Sequence, residues 1–226
     1  MNKGRLFGKI AALHALSDAF AMNAKPHSVQ LLLGLPFAAA AVQQQELVLI
    51  MKGVMDVLDQ HQCELVGGHT SETPDLSLGF TVNASPKKDS SLFRKANLNA
   101  GDYLVLTKPL GTGVILAAEM QKLSYGAWHT AAVNSMLKSN AIAADYFAAI
   151  EVSACTDVTG FGLVGHLCEM LKASQCTGEL YVSEVPLLEG AQALSDRGVR
   201  SSLYAQNLRI NEALAIECAT TNHLKF

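Results

Sequence analysis

Apolar residues in the first part of the chain follow two different periods. Between Leu6 and Leu16 they lie three or four positions apart, which predicts a helix that ends near Asp18. The same spacing between Leu47 and Leu58 predicts a second helix. Apolar and polar residues alternate strictly from Leu76 to Val82, the period of a half-buried strand, and the apolar run from Ser28 to Leu33 predicts another strand. Helices therefore alternate with strands, as in an α/β fold.

A change of pattern at residues 83–102 separates this block from a second one. That stretch, NASPKKDSSLFRKANLNAGD, combines turn-forming residues with charge and has no clear period, so a domain boundary is predicted within it. The two predicted domains are 1–84 and 85–226. In the second domain the pattern predicts strands at 103–106 and 179–185, helices at 114–123 and 127–150, and a helix ending near Gly198 with Arg197 in its last turn.

Composition narrows the class of protein. Half of the 226 residues are apolar and 16% are charged, which indicates a compact globular protein. The formal net charge of −3, without any run rich in Lys and Arg, gives no reason to expect nucleic acid as a partner. Five cysteines without a CxxC pair predict neither a disulfide framework nor a zinc site, and they favour a reducing cytoplasm. The longest apolar run, 31–42, is too short to span a bilayer, so no membrane partner is expected.

Three polar segments interrupt the apolar elements: HALSD at 14–18, GGHTSE at 67–72 and TDVTGFG at 156–162. Asp18 and Asp157 offer carboxylate oxygens to a hard cation, and Gly67 and Gly68 allow close approach of the backbone to a ligand. Because magnesium is often held by one or two carboxylates together with substrate phosphates, these segments are compatible with a nucleotide site.

Purely structural interpretations of the same residues stay open at this point. Asp157 or Thr159 could cap the helix that follows, since both residue types favour caps. Asp18 could be a turn residue at the end of its helix, and GGH could be a turn at the end of a strand. His69 could serve a local hydrogen bond.

Longer stretches bring a family resemblance. HALSDAFAMNAKP, ELVGGHTSETPDLSLGFTVNA, GDYLVLTKPLGTGV and ACTDVTGFGLVGHLCEM resemble, in this order, segments of selenophosphate synthetase (selenide, water dikinase). The resemblance extends over nearly the whole chain. It implies an enzyme that converts ATP, selenide and water into selenophosphate, AMP and phosphate. It also implies the two-domain α/β fold shared with aminoimidazole ribonucleotide synthetase: an N-terminal mixed sheet with helices on one face, and a C-terminal α/β domain.

The resemblance assigns roles to several of the residues above. Asp18 and Asp157 match aspartates that bind Mg²⁺, and domain 1–84 matches the part of the family that binds ATP and forms homodimers. In such a dimer the GGH segment of one subunit lies on the ATP bound largely by the other. The residues thereby implied to contact the nucleotide are Gly67, Gly68, His69 and Thr70.

The match is incomplete in ways that bear on activity. The family's reactive cysteine or selenocysteine and its lysine precede the matched part, so no catalytic residue is assigned, and the family's DPQTSGG segment follows it. The expectation is a fragment of a longer polypeptide in which both domains are incomplete. Asn23 stands where the family usually has glycine. Cys63 and Cys168 lie in apolar stretches and are predicted to be core residues.

Two alternatives to the dikinase hypothesis are retained. The chain could be a non-catalytic nucleotide-binding or dimerisation module, because the nucleophile loop lies outside it. It could also be a sister enzyme of the same superfamily, such as aminoimidazole ribonucleotide synthetase or thiamine monophosphate kinase, although HALSD and GGHTSE fit these less well.

Overall fold

The structure, a computed structural model, describes residues 3–87, 91–212, 217–220 and 223–225. The described helices are α1 Lys3–Ala21, α2 Ala40–Gln60, α3 Thr112–Met120, α4 Gly126–Met136, α5 Ala141–Ala149, α6 Gly162–Ser174, α7 Ala191–Asp196 and α8 Tyr204–Glu212. The described strands are β1 Ala24–Pro36, β2 Glu64–Thr73, β3 Ser77–Pro86, β4 Glu179–Tyr181, β5 Glu217–Thr220 and β6 His223–Lys225. The chain divides into two compact units, 1–92 with 137–150 and 93–136 with 151–226.

The first unit is built on a mixed sheet in the order β2-β1-β3. The central strand β1 runs parallel to β2 and antiparallel to β3, with α2 as the crossover between the parallel pair. Alternate side chains of β1 are buried against the helices, and the outward-facing ones are exposed. This confirms the predicted α/β class. The core includes Leu16 and Phe20 of α1, Val29, Leu31, Leu33 and Leu35 of β1, and Ile50, Val54 and Leu58 of α2.

Glycines bring α1 and α2 into direct backbone contact. A Cβ atom on Gly8 would overlap the carbonyl oxygen of Ile50, and one on Gly53 would overlap the carbonyl oxygen of Arg5. At the surface of this helix pair the carboxylate of Asp56 lies 2.8 Å from Arg5 Nη2 and 2.9 Å from Lys9 Nζ. The hydrogen bond from Lys9, with help from Arg5, lowers the pKa of Asp56. The glycines therefore allow α1 and α2 to pack closely, and the ion pairs of Asp56 with Arg5 and Lys9 connect the two helices at the surface.

The end of α1 differs from the prediction. The helix continues past Asp18 to Ala21, and the Met22 amide still reaches the Asp18 carbonyl at 3.3 Å. It ends because Asn23 adopts a left-handed φ of +56°, which glycine and asparagine tolerate best. The side chain of Asn23 is buried and donates from Nδ2 to the carbonyl of Ser91 at 3.2 Å. The asparagine therefore occupies a position at which glycine would also fit the backbone.

The second unit consists mainly of helices, with a small sheet in the order β4-β6-β5. Helices α3, α4 and α7 surround its hydrophobic cluster. Backbone hydrogen bonds between Leu110 and the segment 186–188 link the loop before α3 to the loop before α7. The buried members of the cluster are Ile115, Ala118, Ala132, Leu188, Ala191, Leu194 and Val199.

Several predicted elements in the second half of the chain were wrong. Residues 103–106 form no strand, because no described strand pairs with them, and Tyr103 is 94% exposed. The predicted helix 127–150 is two helices, α4 and α5. The chain breaks where the Ser139 hydroxyl accepts the Ala141 amide and Asn140 Nδ2 donates to Ser17 Oγ. The predicted strand 179–185 shortens to β4 and a 3₁₀ turn at Val182–Glu184, and α8 was not predicted.

Two further sequence predictions can be compared with the structure. Cys63 and Cys168 are buried, at 4% and 7% exposure, as predicted, and burial raises the pKa of both thiols. Of the helices that the structure describes, none combines the length and the apolar character needed to cross a membrane.

Candidate functional site

The Gly67–Thr70 segment is part of a strand, so the turn interpretation is wrong. It lies in the middle of β2, where Gln30, Leu31, Leu32 and Leu33 of β1 pair with it in register. Main-chain pairing holds the segment extended although its side chains are exposed. A Cβ atom on Gly68, whose φ is +152°, would overlap the carbonyl oxygen of Leu31, so the close pairing requires glycine there.

Next to this segment lies a shallow concavity of about 280 Å³. Apolar side chains of β1, α2 and β2 line it together with the Gly67–Thr70 segment. Asp18 does not line it. Instead Asp18 lies exposed near the end of α1, on a second concavity of about 430 Å³ bordered by Met22, Phe80 and Val82. Within the first unit the predicted residues thus fall into two separate places. The residues lining the concavity beside β2 are Leu31, Leu47, Met51, Leu65, Gly67, Gly68, His69 and Thr70.

Asp157 lies in an irregular loop of the second unit and is half-buried. The helix that follows, α6, begins at Gly162, its N-cap position is Phe161, and no side chain caps it. Capping by Asp157 or Thr159 is therefore wrong, because a capping side chain must stand at the N-cap to reach the first amides of the helix. Within the described part of the chain, no hydrogen bond to the Asp157 carboxylate is found. Helix capping therefore does not explain why an aspartate stands at position 157.

The loop around Asp157 is fixed by its neighbours. The amide of Thr159 donates to Nε2 of His166 at 3.2 Å, and the hydroxyl of Thr159 lies 3.2 Å from the same nitrogen. One residue further, Nδ2 of Asn207 donates to the carbonyl of Gly160 at 2.9 Å. The Gly162 amide closes a turn onto the Thr159 carbonyl at 3.0 Å. These bonds hold the loop in one conformation while leaving the carboxylate available.

His166 was not singled out from the sequence, yet it organises this loop. Its side chain is 7% exposed, and its Nδ1 has no hydrogen-bond partner among the described residues. The nearest carboxylate oxygen, Glu169 Oε2, lies 3.9 Å from Nδ1 and is itself 2.5 Å from Lys95 Nζ, which lowers the pKa of Glu169. The sequence contained one indication, since His166 stands beside Leu167 on the stripe of α6 that also carries Met170, where an apolar residue is the rule.

Cys155 lies close to Asp157 but is not suited to act as a nucleophile. Burial, and then the charge of Asp157, raise the pKa of its thiol to about 11. The thiol therefore stays protonated at neutral pH, whereas nucleophilic cysteines need a lowered pKa.

The residues can be tested for their fit to a magnesium ion. In the described ranges no three His, Cys, Asp or Glu side chains come together as a complete metal site. Magnesium bound with a nucleotide does not need such a set, because phosphates and water supply most of its ligands. A carboxylate with no hydrogen bond to described residues, on a fixed loop, suits that role. Asp157 fits it, while Asp18 offers an exposed carboxylate beside a concavity.

Family comparison agrees with this arrangement of elements. The model of the AIR synthase related protein N-terminal domain matches residues 2–85, and the model of the C-terminal domain matches residues 99–210. The chain belongs to the AIR synthase related proteins. Among its curated relatives, a protein of Trichlorobacter lovleyi named "Selenide, water dikinase" is 40% identical over 186 residues, which cover 82% of this chain and 53% of the relative. The chain thus spans about half the length of the curated relatives it matches.

Solved structures of other proteins show the same fold. Thiamine-monophosphate kinase from Stenotrophomonas maltophilia superposes with a TM-score of 0.72 at 20% identity, covering 94% of this chain and 73% of the other. The hydrogenase maturation protein HypE in complex with ATP superposes with a TM-score of 0.70 at 18% identity, covering 96% and 61%. At these identities the likeness establishes the fold alone.

Proposed function

We propose that this chain is the nucleotide-binding part of a selenide, water dikinase, which forms selenophosphate, AMP and phosphate from ATP, selenide and water. The observation that carries the proposal is the Asp157 carboxylate, held on a fixed loop without a hydrogen bond to described residues. A carboxylate without such a bond has its oxygens available to coordinate a hard cation. The similarity to proteins named selenide, water dikinase supplies the identity of the reaction.

Magnesium and ATP enter the proposal together. ATP carries several negative charges, and a carboxylate can face it only if a cation lies between them. We assign Asp157 and, separately, Asp18 as magnesium ligands. The backbone at Gly67 and Gly68, together with His69 and Thr70, contacts the nucleotide. The exposure of these four residues supports the assignment. At Gly67 a Cβ atom would meet nothing closer than 3.9 Å, so the missing side chain leaves room for phosphate or sugar to approach the backbone.

The reaction itself is tested with the full-length protein. AMP formation from ATP is measured with and without selenide, and phosphorus NMR follows selenophosphate. Selenide-dependent AMP is the expected result. ATP binding without AMP formation would favour the non-catalytic module. AMP formation at the same rate with and without selenide would favour a sister enzyme of the family.

The assignment of Asp157 is tested by Asp157→Asn in the full-length protein, with Asp196→Asn as an exposed control in the same unit. We expect Asp157→Asn to weaken binding of Mg·ATP by roughly 1 to 3 kcal/mol, as for a lost contact of a charged ligand. Because Asp157 caps no helix, its denaturant midpoint should stay near that of the parent. If calorimetric titration finds that Asp157→Asn binds Mg·ATP as tightly as the parent, Asp157 is not a magnesium ligand.

We also propose that the protein is cytoplasmic and forms a homodimer. Cys63, Cys155, Cys168 and Cys176 are free thiols, which suits a reducing compartment. We assign the dimer contact to the outer face of the β2-β1-β3 sheet, where the apolar side chain of Leu32 is 65% exposed.

A further inference from the structure

On the buried side of the Asp157 loop, one ring atom of His166 meets both the amide and the hydroxyl of Thr159. Nε2 of His166 lies 3.2 Å from the amide nitrogen of Thr159 and 3.2 Å from its hydroxyl oxygen. A backbone amide can only donate, so Nε2 must carry a lone pair and no proton. The hydroxyl is then the second donor to that lone pair, and a neutral imidazole must carry its proton on Nδ1.

The surroundings of Nδ1 agree with that tautomer. Nδ1 has no hydrogen-bond partner in the described part of the molecule, but the Glu169 carboxylate lies 3.9 Å away and is anchored by Lys95. A negative charge on that side favours a proton on Nδ1 over one on Nε2. The ring edge also contacts Phe161, with centroids 6.0 Å apart, which limits rotation of the imidazole.

We propose that His166, as the Nδ1-protonated tautomer, is a positioning residue that fixes Thr159 through Nε2 and thereby presents the Asp157 carboxylate to the magnesium ion. This inference rests on the proposed role of Asp157 as a magnesium ligand. His166 itself touches neither metal nor nucleotide in this account. It spares the complex the entropic cost of ordering the loop when the ligand binds.

Two substitutions of His166 distinguish a role in positioning Thr159 from a role in packing alone. His166→Gln keeps an acceptor near the place of Nε2, whereas His166→Met has a similar length and no comparable acceptor. Thr159→Val removes the hydroxyl donor and leaves the amide donor. His129→Met, on α4 of the same unit, serves as a control for loss of a histidine outside the loop.

The experiment begins with the state of the ring in the unmodified 226-residue chain. Long-range proton–nitrogen NMR should find Nε2 of His166 unprotonated and Nδ1 protonated at neutral pH. Amide hydrogen exchange should find the Thr159 amide protected. Protection should survive in His166→Gln and disappear in His166→Met. A protonated Nε2, or a Thr159 amide that stays protected in His166→Met, would overturn the proposal.

Calorimetric titration with Mg·ATP then tests the consequence for binding. We expect His166→Met to bind roughly tenfold more weakly than His166→Gln, the size of one lost hydrogen bond, at matched denaturant midpoints. Thr159→Val should weaken binding less than His166→Met does. Equal affinities for the two His166 variants would contradict the positioning role. If the unmodified chain and the full-length protein bind no Mg·ATP, the proposed function fails, and the NMR and exchange results still decide whether His166 fixes the loop.

Discussion

Asn23 shows how one residue can end a helix. Its left-handed backbone and buried amide make it a stop at the end of α1. We expect Asn23→Ala to lower the free energy of unfolding by about 1 to 2 kcal/mol, because a Cβ without a polar group is strained in this conformation. Asn23→Gly should cost less, because glycine adopts a left-handed φ without strain. Urea unfolding compares the two, and an alanine variant as stable as the glycine variant would contradict the explanation.

His61 gives the first unit a dependence on pH. Its ring packs on Phe20 with centroids 5.0 Å apart, and burial lowers its pKa from the usual 6.5. The unfolded chain therefore binds more protons than the folded one as the pH falls below 6.5, so stability decreases in that direction and is fully present above it. Denaturant midpoints at neutral and mildly acidic pH should diverge more for the parent than for His61→Phe. A parallel decline of both would rule out His61 as the source.

At the scale of elements, the α1–α2 pair depends on the absence of side chains. Gly53→Ala places a methyl group against the carbonyl of Arg5, and the required shift should destabilise by about 1 to 3 kcal/mol despite the better helix propensity of alanine. Gly126→Ala, at the start of α4 where nothing lies within 4 Å, should leave stability unchanged or slightly higher. Thermal unfolding of both variants tests the argument. A more stable Gly53→Ala variant would show that the helices can separate without cost.

Elements in which buried and exposed side chains follow a regular period were predictable from the sequence. The alternation from Leu76 to Val82 found β3 because one of its faces is half-buried against α1 and the other faces solvent. The GGHT part of β2 was mistaken for a turn, since main-chain pairing with β1 holds it and its side chains carry no periodic pattern. The break before α5 depends on Ser17, more than a hundred positions away in sequence, which a local pattern does not contain.

The same limit applied to the candidate site. Asp18, Asp157 and the GGHT segment were found because loops and element ends with carboxylates and glycines stand out in an apolar sequence, and their roles stay predictions. His166 was overlooked because its function depends on which backbone amide lies against it, and that requires the fold. Only its position on an apolar stripe distinguished it.

At the scale of the whole molecule, the open face of the sheet predicts a dimer. Leu32 is 65% exposed in the middle of that face, and among the described strands both of its neighbours, β2 and β3, are edges of the sheet. Light scattering at about tens of micromolar, a concentration at which weak association is detectable, should give the mass of two chains. Leu32→Lys should shift the mass toward one chain, whereas Ile142→Lys, at an equally exposed position (66%) on α5, should not. A monomeric parent at that concentration would exclude the dimer.

The order of the strands along the chain has a consequence during synthesis. Central strand β1 pairs with β2 and β3, and both leave the ribosome after it, with the 21 residues of α2 in between. At about 5 to 20 residues per second, translation of α2 alone takes roughly 1 to 4 seconds. During this time β1 has neither of its neighbouring strands to pair with. Slower translation of α2 therefore prolongs the exposure of the apolar side chains of β1, and it should raise the fraction of nascent chains that aggregate.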